Sequence, residues 1–301
     1  MANPAPLPDQ NRDTLPGFLY ALGAYLLWGF LPIYMKALAA VPTLEVLAHR
    51  VIWSVPVALA VLAFRGRAGE VMAALRNPRL LGMAAMTAAL ISVNWSIYVW
   101  SIQSGHALEA ALGYYINPLV SVLIGAVVLR ERLTPTQWAA IALAAAAVAV
   151  LTVEAGKLPM VALGLTATWA GYAFLKKQLP LGPNQGFTLE VMLLTPFALA
   201  YAGWLAARGQ AHFLAGNLNE TLLLLGCGLV TAVPLMLYAN GAKLLRLSTI
   251  AMMQYLSPTL ILLTAVFIFG EEFGGARAIA FPMIWAALAV YTLGSLRKAR
   301  R

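Results

Sequence analysis

The sequence predicts an all-α membrane protein of ten transmembrane helices, built as two inverted five-helix repeats. Three observations carry that prediction. Of its 301 residues, 61% are hydrophobic and 10% charged, against roughly 45–50% and 25% in soluble domains. Ten apolar runs approach the ~20 residues that cross a bilayer: 17–37, 43–64, 79–103, 107–129, 134–154, 158–178, 186–207, 219–242, 247–269 and 277–296. The stretch GYYINPLVSVLIGAVVLRERL at 113–133 also returns, ungapped and 140 residues later, as MQYLSPTLILLTAVFIFGEEF at 253–273. The same offset carries Tyr98 onto Tyr238, and an offset of 141 carries Ala21-Leu22-Gly23 and Trp28 onto Ala162-Leu163-Gly164 and Trp169. Five spans per copy is an odd number, so the second copy enters the membrane from the opposite face.

Taken in order, residues 1–16 hold four prolines with Asp9, Arg12 and Asp13 and no short apolar core before a cleavage site, which reads as a disordered cytoplasmic leader. The first repeat covers 17–154, the second 158–297, and 298–301 form a basic tail. Span 1 offers Trp28, and its counterpart span 6 offers Trp169 and Tyr172. Span 2 carries Glu45, His49 and Arg50, an unusual density of ionisable groups for a membrane helix. Span 3 presents Asn94, Tyr98 and Ser101 at helical spacing, and span 4 presents Tyr114, Asn117 and Ser121. Span 5, almost wholly small and apolar from Ala139 to Val150, suits close packing at the periphery. Span 7 carries Glu190; span 8 has Thr231, Pro234 and Tyr238; span 9 has Gln254, Ser257 and Thr264. Lipid penalises such polar stripes, so they face the bundle interior, and four of them at one depth predict a shared cavity. Taken singly, each Ser or Tyr is better explained by an interhelical hydrogen bond of about 1 kcal/mol.

Two prolines repeat with the stretch. Pro118 lies about 16 Å into span 4 and Pro258 similarly deep in span 9. Each removes an N–H and displaces the carbonyl four residues earlier, at Tyr114 or Gln254, giving either a hinge or a static kink. Arg50 is costly at its depth unless paired, which predicts contact with Glu109 or Glu45 as part of a structural charge network that also includes His49.

Of the twenty Lys and Arg residues, fifteen fall in one set of alternate connections and four in the other, Arg50 being within a span. Cytoplasmic loops carry the excess, so both termini are predicted cytoplasmic. The same clustering makes lipid, not nucleic acid, the partner of the net +9 charge. With Cys227 the only cysteine and His49, His106 and His212 far apart, no metal site or other cofactor is predicted. Nothing resembles a nucleotide loop or nucleophile elbow, so ATP-driven transport by this chain alone is excluded. An intramembrane enzyme would need more than Glu45, His49 and Glu109.

Five segments then identify a resemblance: GAYLLWGFLPIYMKAL (23–38), EVLAHRVIWS (45–54), NWSIYVW (94–100), LEAALGYYINPLVSVLIGAVVLRERL (108–133) and LRLSTIAMMQYLSPTLILLTAVFIFGEEF (245–273). The chain resembles the drug/metabolite transporter superfamily, with two EamA-type repeats, and is most similar to its RarD-like subgroup. The YddG-type aromatic amino acid exporters share its length and repeat plan. The resemblance implies ten helices and efflux of small metabolites by alternating access. It leads us to expect a monomeric exporter in the bacterial inner membrane, carrying amino acids, apolar and aromatic ones included. Drugs or other metabolites are the alternative cargo, and a non-transporting scaffold would have no cavity. The expected substrate-binding set is Trp28, Asn94, Tyr98, Tyr114, Asn117, Trp169, Tyr172, Tyr238, Gln254 and Ser257, with Pro118 and Pro258 as hinges.

Overall fold

The computed structural model describes residues 14–128, 134–215, 217–242, 244–245 and 253–299. The leader up to residue 13, the basic pairs Arg130 and Arg132 and Lys243 and Arg246, the start of the ninth span at 247–252 and the end of the basic tail lie outside the described residues, as does the Ser121 side chain.

Every regular element among the described residues is helical. In chain order these are α1 (Leu15–Ala37), α2 (Thr43–Phe64), α3 (Ala68–Leu75), α4 (Pro78–Gln103), α5 (Ala107–Val128), α6 (Pro135–Ala155), α7 (Met160–Gln178), α8 (Pro183–Ala207), α9 (Leu218–Ala242), α10 (Leu256–Leu263) and α11 (Ala276–Ala299), with a π turn at Thr264–Ile268 continuing α10. By length and composition α1, α2, α4, α6, α8 and residues Leu218–Tyr238 of α9 are long and apolar enough to cross a bilayer, while Leu256–Ile268 and Ala276–Tyr291 are shorter apolar helices. Among the described residues the chain is all-helical, with helices of the length and apolar composition of a membrane protein.

Helix starts are written in the short connections. Thr14 Oγ1 accepts from Gly17 N at 3.2 Å ahead of Pro16 in the first turn of α1. Asn77 Oδ1 accepts from Arg79 N and Leu80 N before Pro78 opens α4. Thr134 and Gln137 form a reciprocal capping box on α6, which ends at Gly156 with φ +64°. In each case a side chain takes up N–H groups that the first helical turn leaves without a partner; Gly156 adopts a left-handed conformation that other residues resist.

One element departs from the sequence reading, which leaves 65–78 as a basic loop. Residues 68–75 fold into α3 because Val71 and Ala74, one helical turn apart, are both buried, with α3 lying on α8 and α4. Glu70 fixes it there, accepting from Arg67 Nε at 2.7 Å and from Gln185 Nε2 of α8 at 2.8 Å.

The principal helix contacts are α6 with α11, α2 with α8, and α5 with α10; α1 lies on α9 and α10, α7 on α4 and α5, α9 on α2, and α8 on α4. Small residues set the closest approaches. A Cβ added to Gly113 of α5 would stand 2.9 Å from the Ala162 carbonyl oxygen of α7, so that crossing admits only glycine. Thr166 Oγ1 of α7 donates to the Gly113 carbonyl at 2.9 Å across the same contact. α6 and α11 pair at one edge, and seven other helices converge on a central cavity.

Candidate functional site

The cavity has a volume of about 150 Å³. Helical spacing presents each wall: Tyr25, Trp28 and Leu31 on α1; Asn94, Trp95 and Tyr98 on α4; Tyr114 and Asn117 on α5; Thr231, Leu235 and Tyr238 on α9. Trp169 of α7, Arg50 of α2, and Ser257, Pro258 and Ile261 of α10 complete it, with Gln254 in the turn that precedes α10.

One part of the lining is aromatic. Tyr25, Trp28 and Tyr238 contact one another with ring centroids 5.6 to 6.0 Å apart, at tilted or edge-on angles favoured by ring quadrupoles. Ser257 Oγ donates to the Tyr25 carbonyl at 2.8 Å and ties α10 to α1 behind this cluster. Another part is polar. Asn94 Nδ2 donates to Leu165 O at 3.0 Å and Thr168 Oγ1 at 2.9 Å, which fixes α4 against α7 and orients the amide. Tyr98 and Tyr114 meet edge-on at 5.9 Å.

Arg50 is 3% exposed and sits in this polar part. Its Nε donates to Thr231 Oγ1 at 3.0 Å, and its guanidinium lies 4.6 Å from the centre of the Trp95 ring, a cation–π contact. Its electrostatic neighbours are Cys227, Tyr98 and Tyr114. The predicted pairing with Glu109 or Glu45 is corrected here: among the described residues no carboxylate lies within ion-pair distance of Arg50. Both acids are engaged elsewhere. Glu45 accepts from the backbone N and Nδ1 of His212, each at 2.7 Å. Glu109 lines a separate cavity of about 560 Å³ with His106, Glu154, Lys157 and Arg277. His49 accepts from Trp53 Nε1 at 3.0 Å and packs on Phe213. The four ionisable groups therefore form no single network.

Nine of the ten residues of the expected substrate-binding set line the cavity, and Tyr172 does not. Its ring touches Trp169 at 5.8 Å, but its hydroxyl donates to Glu190 Oε2 at 3.2 Å, which draws it away. Tyr25, Leu31, Leu235 and Ile261 were not anticipated, although Tyr25 sits three residues before Trp28 and so shares its helical face. Pro118 lies inside α5. Pro258 is the third residue of α10, behind the turn at Gln254–Tyr255, so the helix is already broken at that proline.

Comparisons with known proteins agree with this architecture. The model of the EamA-like transporter family matches residues 15–153. Protein RarD of Streptomyces exfoliatus is 43% identical over 292 residues, 97% of this chain and 92% of that one. A protein of Vibrio cholerae called an uncharacterized transporter is 42% identical over 291 residues, 96% of each. A solved crystal structure aligns with a TM-score of 0.59 over 93% of this chain and 98% of that one, and at 23% identity it speaks for the fold alone. The chain thus belongs to the EamA-like transporter family, as a RarD-like transporter of the drug/metabolite transporter superfamily.

Proposed function

We propose that this chain is a monomeric secondary transporter of the bacterial inner membrane that exports amino acids, apolar and aromatic ones among them, through the cavity between its two halves. The observation that carries the reading is the lining itself. Tyr25, Trp28 and Tyr238 offer ring faces for an apolar side chain or an ammonium, and Asn94, Tyr98, Asn117 and Gln254 offer groups for the polar end of a small solute.

Helix packing supports an inverted repeat of ten spans, with α3 outside the count. Exchanging α1, α2, α4, α5 and α6 for α7, α8, α9, α10 and α11 turns the α1–α9 contact into α7–α4, α5–α7 into α10–α1, and α2–α9 into α8–α4, all of which exist. It leaves α2–α8, α5–α10 and α6–α11 unchanged. The bias of basic residues supports cytoplasmic termini.

Alternating access follows from the same symmetry. Pro118 and the break before Pro258 occupy equivalent places in α5 and α10, two helices that wall the cavity and touch each other. Tilting one half-helix about each proline opens the cavity to one side while the other half stays packed. Purified protein in liposomes, tested against an amino-acid panel with and without a pH gradient, should give flux above protein-free vesicles. Flux at the protein-free level for every amino acid contradicts the reading.

A further inference from the structure

We infer that Arg50 is the anchor for a carboxylate on the transported solute, so that the cavity selects molecules carrying a free carboxylate beside an apolar or aromatic body. The inference rests on the exporter reading above and narrows its substrate class. Among the described residues Arg50 is the one charged side chain in the cavity lining, and no acid pairs with it. A guanidinium buried in a helical bundle is costly unless an anion meets it, and Trp95 and the Thr231 hydroxyl answer only part of its donor capacity.

Unsatisfied hydrogen-bonding atoms point the same way. Arg50 Nη1, Tyr98 Oη and Asn117 Oδ1 are buried with no partner among the described residues, and all three side chains line the cavity. Buried polar atoms are rarely left so, and each one here needs an explanation. A guanidinium N–H and the Tyr98 hydroxyl, both without a partner in the wall of one cavity, are donors of the kind a carboxylate takes. The Asn117 carbonyl oxygen remains as an acceptor, suited to an ammonium when the solute is an amino acid. Tyr25, Trp28 and Tyr238 then receive the apolar body. Thr231 and Trp95 are positioning residues: they hold the Nε edge and one face of the guanidinium and leave its Nη1 side for the ligand.

The test uses purified full-length protein and four probes sharing a benzyl body: phenylalanine, 3-phenylpropanoate, phenylalaninamide and 2-phenylethylamine. Equilibrium binding to the wild type should favour the two carboxylates over the amide and the amine by roughly 10-fold or more. Arg50→Gln should weaken the carboxylates roughly 10- to 100-fold while moving the amide less than about 3-fold, and its thermal midpoint should not fall, because an uncompensated buried charge has gone. A merely structural arginine predicts a lower midpoint and equal losses for all four probes. The wild-type comparison decides the matter even where a variant fails to fold: amide or amine binding as tight as the acids overturns the inference. If phenylalanine is carried but Arg50→Gln leaves acid-over-amide discrimination unchanged, the carboxylate anchor falls and the exporter reading stands. If none of the four probes binds or moves, the carboxylate anchor falls together with the aromatic part of the exporter reading, and the amino-acid panel in liposomes decides the rest.

Discussion

Replacing Lys176 with Met should cost far more than the loss of a surface ion pair. Glu190 is 1% exposed, and its Oε1 accepts from Lys176 Nζ at 2.5 Å and Thr87 Oγ1 at 2.6 Å, with Tyr172 Oη on Oε2 at 3.2 Å. One carboxylate therefore pins α4, α7 and α8 together. Stranding a buried charge by removing its partner costs about 3–5 kcal/mol. The Lys176 side chain is 21% exposed, so water moderates the loss, and about 2–3 kcal/mol is the expected figure. Adding Glu190→Gln removes the stranded charge while keeping an amide that Thr87 and Tyr172 can hold, at about 0.6–1 kcal/mol for each interhelical bond. The double variant should therefore recover about half the loss, a coupling of at least ~1 kcal/mol. Reversible unfolding in mixed micelles, followed by helicity for the wild type, both single variants and the double, measures all four corners. Additive losses, or a Lys176→Met cost below about 0.5 kcal/mol, refute the reasoning.

The remaining predictions concern hinges and helix ends. Pro118→Ala supplies a donor for the Tyr114 carbonyl, and Pro258→Ala lets α10 grow back over the turn at Gln254–Tyr255. Both should slow liposome flux while leaving equilibrium binding near wild type; wild-type flux in both variants removes the hinges. Glu271 accepts from Ala107 N at 2.7 Å and Leu108 N at 2.9 Å, capping α5 from the segment between α10 and α11. Glu271→Ala should cost about 1–2 kcal/mol of stability in the same micelle assay, and an unchanged midpoint would show that the cap contributes nothing.

The apolar helices and most of the cavity wall were legible in the sequence because both depend on local pattern. Hydropathy gives the run lengths, and a polar or aromatic residue every third or fourth position gives the inward face, as with Asn94 and Tyr98 or Trp28 and its unrecognised neighbour Tyr25. What was not legible depends on which helix crosses which. Arg50 was assigned a carboxylate at matching depth, yet α2 crosses α9 at Thr231 and α4 at Trp95, and Glu45 is held by His212 from a connection that carried no visible signal. Tyr172 shares a helix face with Trp169, but a buried acid on the next helix outcompetes the cavity for its hydroxyl. Eight residues with two buried apolar side chains gave α3 too weak a period to distinguish it from a loop.

The central claim, a solute site reached alternately from the two membrane faces, is open to one direct measurement. Cys227 is the only cysteine, so Cys227→Ala with Ser257→Cys places a single thiol in the cavity wall. Membrane-impermeant maleimide should label it in sealed vesicles of either orientation, and a transported amino acid should slow labelling from both sides. A thiol labelled from one side alone, or one that no transported solute protects, would contradict the account.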